Sequence, residues 1–96
     1  MMEAFREDEL VLINFGAVNC GPCRLQKKEL ALVQRRLPPN VHLLAIDTNK
    51  WPAVGTRFSV GKLPCLVALR NGQVLFRLEG YTTADEVVAR VQAMVR

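Results

Sequence analysis

Ile13-Asn14-Phe15-Gly16-Ala17-Val18-Asn19-Cys20-Gly21-Pro22-Cys23-Arg24 is the stretch on which the reading of this chain turns. Its left end closes a short apolar run, Leu10-Val11-Leu12-Ile13-Asn14-Phe15, which reads as a buried strand. To its right the period changes. Leu30, Val33 and Leu37 recur at three- and four-residue steps with basic residues between them, the pattern of an amphipathic helix, and Pro38-Pro39 ends it. Cys20 therefore follows a strand and opens a helix. Free N–H groups and the helix dipole favour a negative charge there, and a thiolate is such a charge. Cysteines in such settings have pKa values lowered to roughly 3.5–7.5. Gly21 lets the chain turn, Pro22 suits a first helical turn, and Cys23, one turn on, can attack a mixed disulfide formed at Cys20.

Further along, Val41-His42-Leu43-Leu44-Ala45-Ile46 is a second strand-like run. Strand, helix and strand within so short a length suggest a βαβ unit with parallel strands. Trp51-Pro52 can open a short helix that Gly55 weakens. Cys65 to Arg70 reads as a strand, Asn71-Gly72 as a type I′ hairpin turn, and Val74 to Glu79 as the antiparallel partner, with Val74, Phe76 and Leu78 on one face. Thr83-Ala84-Asp85-Glu86 fits a capping box, and Val87, Val88, Val91, Met94 and Val95 make the stripe of a last helix. The expected fold is α/β, with a mixed sheet flanked by helices.

Length and composition set the bounds. The 96 residues suit one domain, 1–96, and half of them are apolar, enough for a core. The polar, acidic start is unlike a secretory signal, and no apolar run has membrane-spanning length, so a cytoplasmic protein without membrane contact is expected. The formal charge is +4, with Arg24, Lys27, Lys28, Arg35 and Arg36 following the cysteine pair. These side chains read as the solvated face of a helix, or as a collar that steers acidic partners and favours a thiolate. Few aromatics and no recognition motif argue against nucleic acid.

The cysteine count is three, unsuited to a disulfide framework, and a two-residue gap is poor for stapling a fold. Cys-x-x-Cys is shared by redox and zinc sites. A structural zinc site needs four ligands, and beyond the pair only Cys65 and His42 are candidates. His42 lies near the start of its strand and the pair lies past the end of the neighbouring one, roughly 13 Å or more apart. Redox chemistry is the better reading.

From Leu10 to Val95 the chain resembles the thioredoxins. The resemblance rests on Ile13 to Arg24, Ile46-Asp47, Val60-Gly61-Lys62-Leu63-Pro64, Asn71-Gly72-Gln73-Val74 and Glu79-Gly80-Tyr81. It implies a thioredoxin-like fold and a thiol–disulfide oxidoreductase, with Cys20 as nucleophile, Cys23 as resolving cysteine and no bound cofactor or metal. It also implies a cis Leu63–Pro64 bond beside the pair, with Leu63 offering its backbone to the substrate. The implied partners are disulfide-containing proteins and a separate reductase.

Departures from that family are as telling. Asn19 replaces a Trp before the first cysteine, Gly16 replaces a second Trp, and Trp51, the only Trp, lies well away in sequence. Asn14 stands for the family's buried Asp and Leu43 for its Lys partner; losing both avoids an unpaired buried charge. Cys65 stands where a Thr is common. It packs as a small core residue, or lies near the pair as an exchanging thiol or a soft-metal ligand. Only 19 residues precede Cys20, which predicts a missing first strand, a short helix over residues 2–8, about four strands, an exposed sheet edge and a monomer or weak dimer. A binding or adaptor module with weak redox activity, and a metal or iron–sulfur protein using Cys65, are the alternatives.

Overall fold

The computed structural model describes residues 8–95. Its elements run β1 (Leu10–Gly16), α1 (Gly21–Arg36), β2 (Val41–Asp47), α2 (Pro52–Arg57), β3 (Cys65–Arg70), β4 (Gln73–Glu79) and α3 (Ala84–Met94). The helix expected over residues 2–8 lies essentially outside the described residues.

The sheet is ordered β2-β1-β3-β4. β1 pairs parallel with β2, Leu10 against Val41 through Gly16 against Asp47, and antiparallel with β3, Phe15 against Cys65. β1 is central and buried on both faces, which is why it reads as an unbroken apolar run. Its alternate residues build two cores. Leu10 and Leu12 join Leu30 and Val33 of α1, Leu66 and Ala68 of β3, and Val87, Val88 and Val91 of α3. Val11, Ile13 and Phe15 join Ile46, Cys65 and Val67 on the opposite face, where Val54, Phe58, Val60 and Leu63 cover them. So α1 and α3 share one face and α2 lies on the other. Each fully buried aliphatic side chain stabilises the packing by about 1.5–3 kcal/mol.

Local chemistry sets the boundaries. Asn71 and Gly72 both take positive φ, 54° and 76°, as a type I′ turn demands. Thr83 caps α3, its hydroxyl accepting from Glu86 N while Glu86 reaches back to Thr83 N. One strand departs from expectation. The ladder between β3 and β4 slips by one residue, so Ala68 faces Phe76 but Leu69 faces Val74. This bulge leaves Phe76 and Leu78 on the α1–α3 core and turns Val74 out to solvent, so the three do not share a face.

Among the described residues β2 is an edge strand. His42 sits near its start, half-buried, with Nε2 3.1 Å from Glu9 Oε1. No helix among the described residues is long and apolar enough to cross a membrane.

Candidate active site

Cys20 is the N-cap of α1, in extended conformation, and its Sγ accepts a hydrogen bond from Cys23 N at 3.2 Å. The sulfur does here what a Ser or Asp oxygen usually does, satisfying one of the helix's free donors. Pro22 lies in the first turn, which carries no acidic residue, and the last turn carries Arg35 and Arg36. Cys20 and Cys23 are joined as a disulfide, their Cα atoms 5.2 Å apart. Both are half-buried, while Gly21, Pro22 and Asn19 are exposed. The electrostatic field at Cys20 is therefore that of an uncompensated helix N-terminus.

Beneath the pair lie two of the departures noted above. A Cβ on Gly16 would stand 3.5 Å from Cys23 Sγ and 3.9 Å from Asn14 Nδ2. Asn14 is buried, 8% exposed, and its Oδ1 accepts no hydrogen bond among the described residues. Leu43 packs into the same core, so no cation replaces the one lost with the Asp.

The Leu63–Pro64 peptide is cis, Pro64 is buried and Leu63 half-buried. Gly80, at φ 82°, ends β4 and donates its N–H to Pro64 O at 2.7 Å. The loop after β4 thus ties into the loop before β3.

Cys65 does not join the pair. It faces Phe15 across β1 and β3 and belongs to the α2-side core, whereas Asn14, Gly16 and Cys23 lie on the α1 side. It is fully buried, with Arg77 Nη2 3.7 Å from its Sγ. Among the described residues no three His, Cys, Asp or Glu side chains gather as a metal site. Cys65 thus packs as a small core residue on the face opposite Asn14 and Gly16, as strand alternation dictates.

Sequence reasoning passed over Gln26. It is 1% exposed on α1; its Nε2 donates to Thr82 O at 2.9 Å and its Oε1 accepts from Thr82 N at 2.7 Å. Glu29, one turn on, accepts from Ala84 N at 2.7 Å. The signal was present: Gln26 stands four residues before Leu30, on the apolar stripe of α1, where a polar residue must find partners. Tyr81, between Gly80 and Thr82, is held above its ordinary pKa of 10.0 by desolvation of the phenol, then by its hydrogen bond to Glu29 and by the charges of Glu29 and Glu86.

The thioredoxin family model matches residues 2–93. The chain belongs to the thioredoxin family. It is 35% identical over 85 residues to the thioredoxin-like protein slr0233 of a Synechocystis species, covering 88% of this chain and 81% of that one. It is 32% identical over 85 residues to the chloroplastic thioredoxin Y2 of Arabidopsis thaliana, covering 88% of this chain and 51% of the relative, so it spans about half the length of that protein. A malaria-parasite thioredoxin-2 superposes with a TM-score of 0.85 at 25% identity, over 88% of this chain and 82% of that one. The thioredoxin fold is thus present with four strands and three helices among the described residues. The family and the close Cys20–Cys23 pair together support a thiol–disulfide oxidoreductase.

Proposed function

We propose that this thioredoxin-family protein reduces protein disulfides, with Cys20 as nucleophile and Cys23 as resolving cysteine. The observation that carries the reading is the place of Cys20 at the cap of α1, its sulfur aligned with a helix N–H that would stabilise a thiolate. Cys20 thiolate attacks one sulfur of the substrate disulfide, forming a Cys20–substrate bond and expelling the other sulfur as a thiolate. Cys23 thiolate then attacks Cys20 Sγ and expels the second substrate sulfur. Two electrons pass to the substrate and the pair closes as the Cys20–Cys23 disulfide. A separate dithiol reductase must reopen it.

Leu63 backbone groups, next to Pro64, hold the substrate chain in this reading, with Gly21, Pro22 and Asn19 on the contact surface. Asn14 cannot accept a proton as a carboxylate would, so Cys23 gives its proton to solvent. One domain working in a reducing compartment such as the cytoplasm belongs to this reading.

Reduction of insulin by dithiothreitol in the presence of the protein tests the reading. Cys20→Ser should abolish the acceleration, and Cys23→Ser should trap a mixed disulfide on Cys20. A wild-type protein that leaves the insulin rate unchanged points to the adaptor alternative. A reduction potential close to that of thioredoxins, about −270 mV, is expected; one near −120 mV would make the protein an oxidant.

A further inference from the structure

β1 and β2 end side by side, at the paired residues Gly16 and Asp47. Four residues beyond each comes a helix cap: Cys20 for α1 and Trp51 for α2. The two connecting loops are bound together. Thr48 donates to Gly16 O through its N–H at 3.0 Å and its hydroxyl at 3.3 Å. Asp47 O accepts from Lys50 N at 3.1 Å and Trp51 N at 2.9 Å. Trp51 is thus pinned by its backbone at the same sheet end as the cysteine pair, its loop leaving the strand next to β1 and leading to a helix on the opposite face.

Its side chain lies largely in solvent. Trp51 makes no side-chain cap to α2, and its residue is 59% exposed. Val18, on the Cys20 loop, is 74% exposed. Exposed aromatics on a rigid backbone are the usual anchors of protein contacts. A docking footprint of about 800 Å² centred on Cys20 takes in both loops.

Three cations surround these two apolar groups, with two carboxylates, Asp47 and Glu79, at the same end of the sheet. Arg24 stands in the first turn of α1, Lys50 beside Trp51, and Lys62 two residues before Pro64, its ammonium 3.6 Å from where a Cβ on Gly80 would be. None of the three forms an ion pair among the described residues. Of the carboxylates, Glu79 lies 3.9 Å from Arg77, and Asp47 Oδ1 accepts from Asn49 N, so the cations outnumber the carboxylates at this end. Unpaired cations at a rim speed encounters with carboxylates and penalise like charge.

We infer that this rim selects disulfides flanked by acidic residues, with Trp51 as the apolar anchor that takes over where Asn19 has replaced the family's Trp. The inference rests on the oxidoreductase reading above and names its substrate class. The occupant is an acidic segment of a partner protein, seated across Trp51 and Val18 with its carboxylates on Arg24, Lys50 and Lys62.

The test uses pre-reduced protein and two peptides, each with one internal disulfide, one flanked by Asp and Glu and the other by Lys. At low salt the acidic peptide should be reduced about tenfold faster in second-order rate constant, the gap closing in 0.5 M salt, where charges are screened beyond roughly 4 Å. The double variant Lys50→Glu, Lys62→Glu should remove the preference. Equal rates for the two peptides at low salt overturn the inference. Trp51→Ala should slow the acidic peptide by about tenfold, and Trp51→Phe should recover most of the rate. A second readout does not depend on folding of a Trp51 variant. In Cys23→Ser protein joined through Cys20 to the acidic peptide, the emission of Trp51, the only tryptophan, should shift; unshifted emission removes Trp51 as the anchor. A protein that reduces neither peptide, nor the small neutral 2-hydroxyethyl disulfide, refutes the oxidoreductase reading itself and this inference with it.

Discussion

Gln26 and Thr82, 56 residues apart, close a two-bond clasp in which one buried side-chain amide satisfies both the N–H and the C=O of a loop backbone. Gln26 is one turn along α1 from Cys23, and Thr82 is two residues from Gly80, which holds Pro64. The clasp therefore joins the helix that carries the cysteine pair to the loop after β4, which in turn holds the cis-proline.

Gln26→Leu removes that clasp while keeping the volume of the site. It leaves two buried backbone groups of Thr82 unsatisfied, so unfolding stability should fall by about 2–4 kcal/mol. Urea denaturation measures it; a loss under half a kilocalorie would mean that the loop finds other partners.

Asn14→Asp restores a carboxylate beneath Cys23 without a cation at Leu43 to balance it. Disulfide reduction at neutral pH should speed up, because the new group can take the Cys23 proton. Burial raises the folded-state pKa of such an Asp above its unfolded value. Its stability relative to the parent is therefore greatest below the unfolded pKa and declines as pH rises through the folded one. Insulin reduction and urea midpoints at pH 5 and pH 8 check both halves; an unchanged or lower rate at neutral pH would remove the proton-acceptor argument.

Cys65 packs on the face of the sheet away from the pair. The oxidised protein should show one free thiol that reacts with alkylating reagents only on unfolding, and peptide mapping should return the Cys20–Cys23 link alone. A fragment linking Cys65 to either partner would contradict the placement.

Tyr81 is the only tyrosine, so its titration can be followed directly by tyrosinate absorbance. The midpoint should lie above 10.0 in the folded protein. A raised pKa means that the neutral phenol is favoured by folding. This contribution is complete below the unfolded value and is lost as pH rises through the folded one. Glu29→Gln, which removes one nearby charge, should bring the midpoint down; an unmoved midpoint would show that desolvation and the Glu86 charge hold it up.

Much of the architecture was legible because it is written in local periods. The unbroken apolar run of β1, the stripe of α1, the Asn71-Gly72 turn and the capping box at Thr83 each rest on neighbours within a few residues. The pair was legible for the same reason, since strand, cap and helix follow one another within a few residues. The bulge that turns Val74 outward was not, because register depends on how two strands meet. The clasp was half-legible: Gln26 on an apolar stripe announced a need for partners but could not name Thr82.

By itself, the sequence determined that a cysteine pair stands where a strand gives way to a helix, since spacing and helix-end chemistry are local. Only the tertiary structure decided what surrounds that pair. Strand alternation sent Cys65 to the opposite face, and parallel pairing of β1 with β2 brought Trp51, 31 residues beyond Cys20 in sequence, to the same sheet end. Chain folding onto α1 set Thr82 against Gln26. These are long-range placements, fixed by which faces and ends of the sheet are packed together, and no local period encodes them.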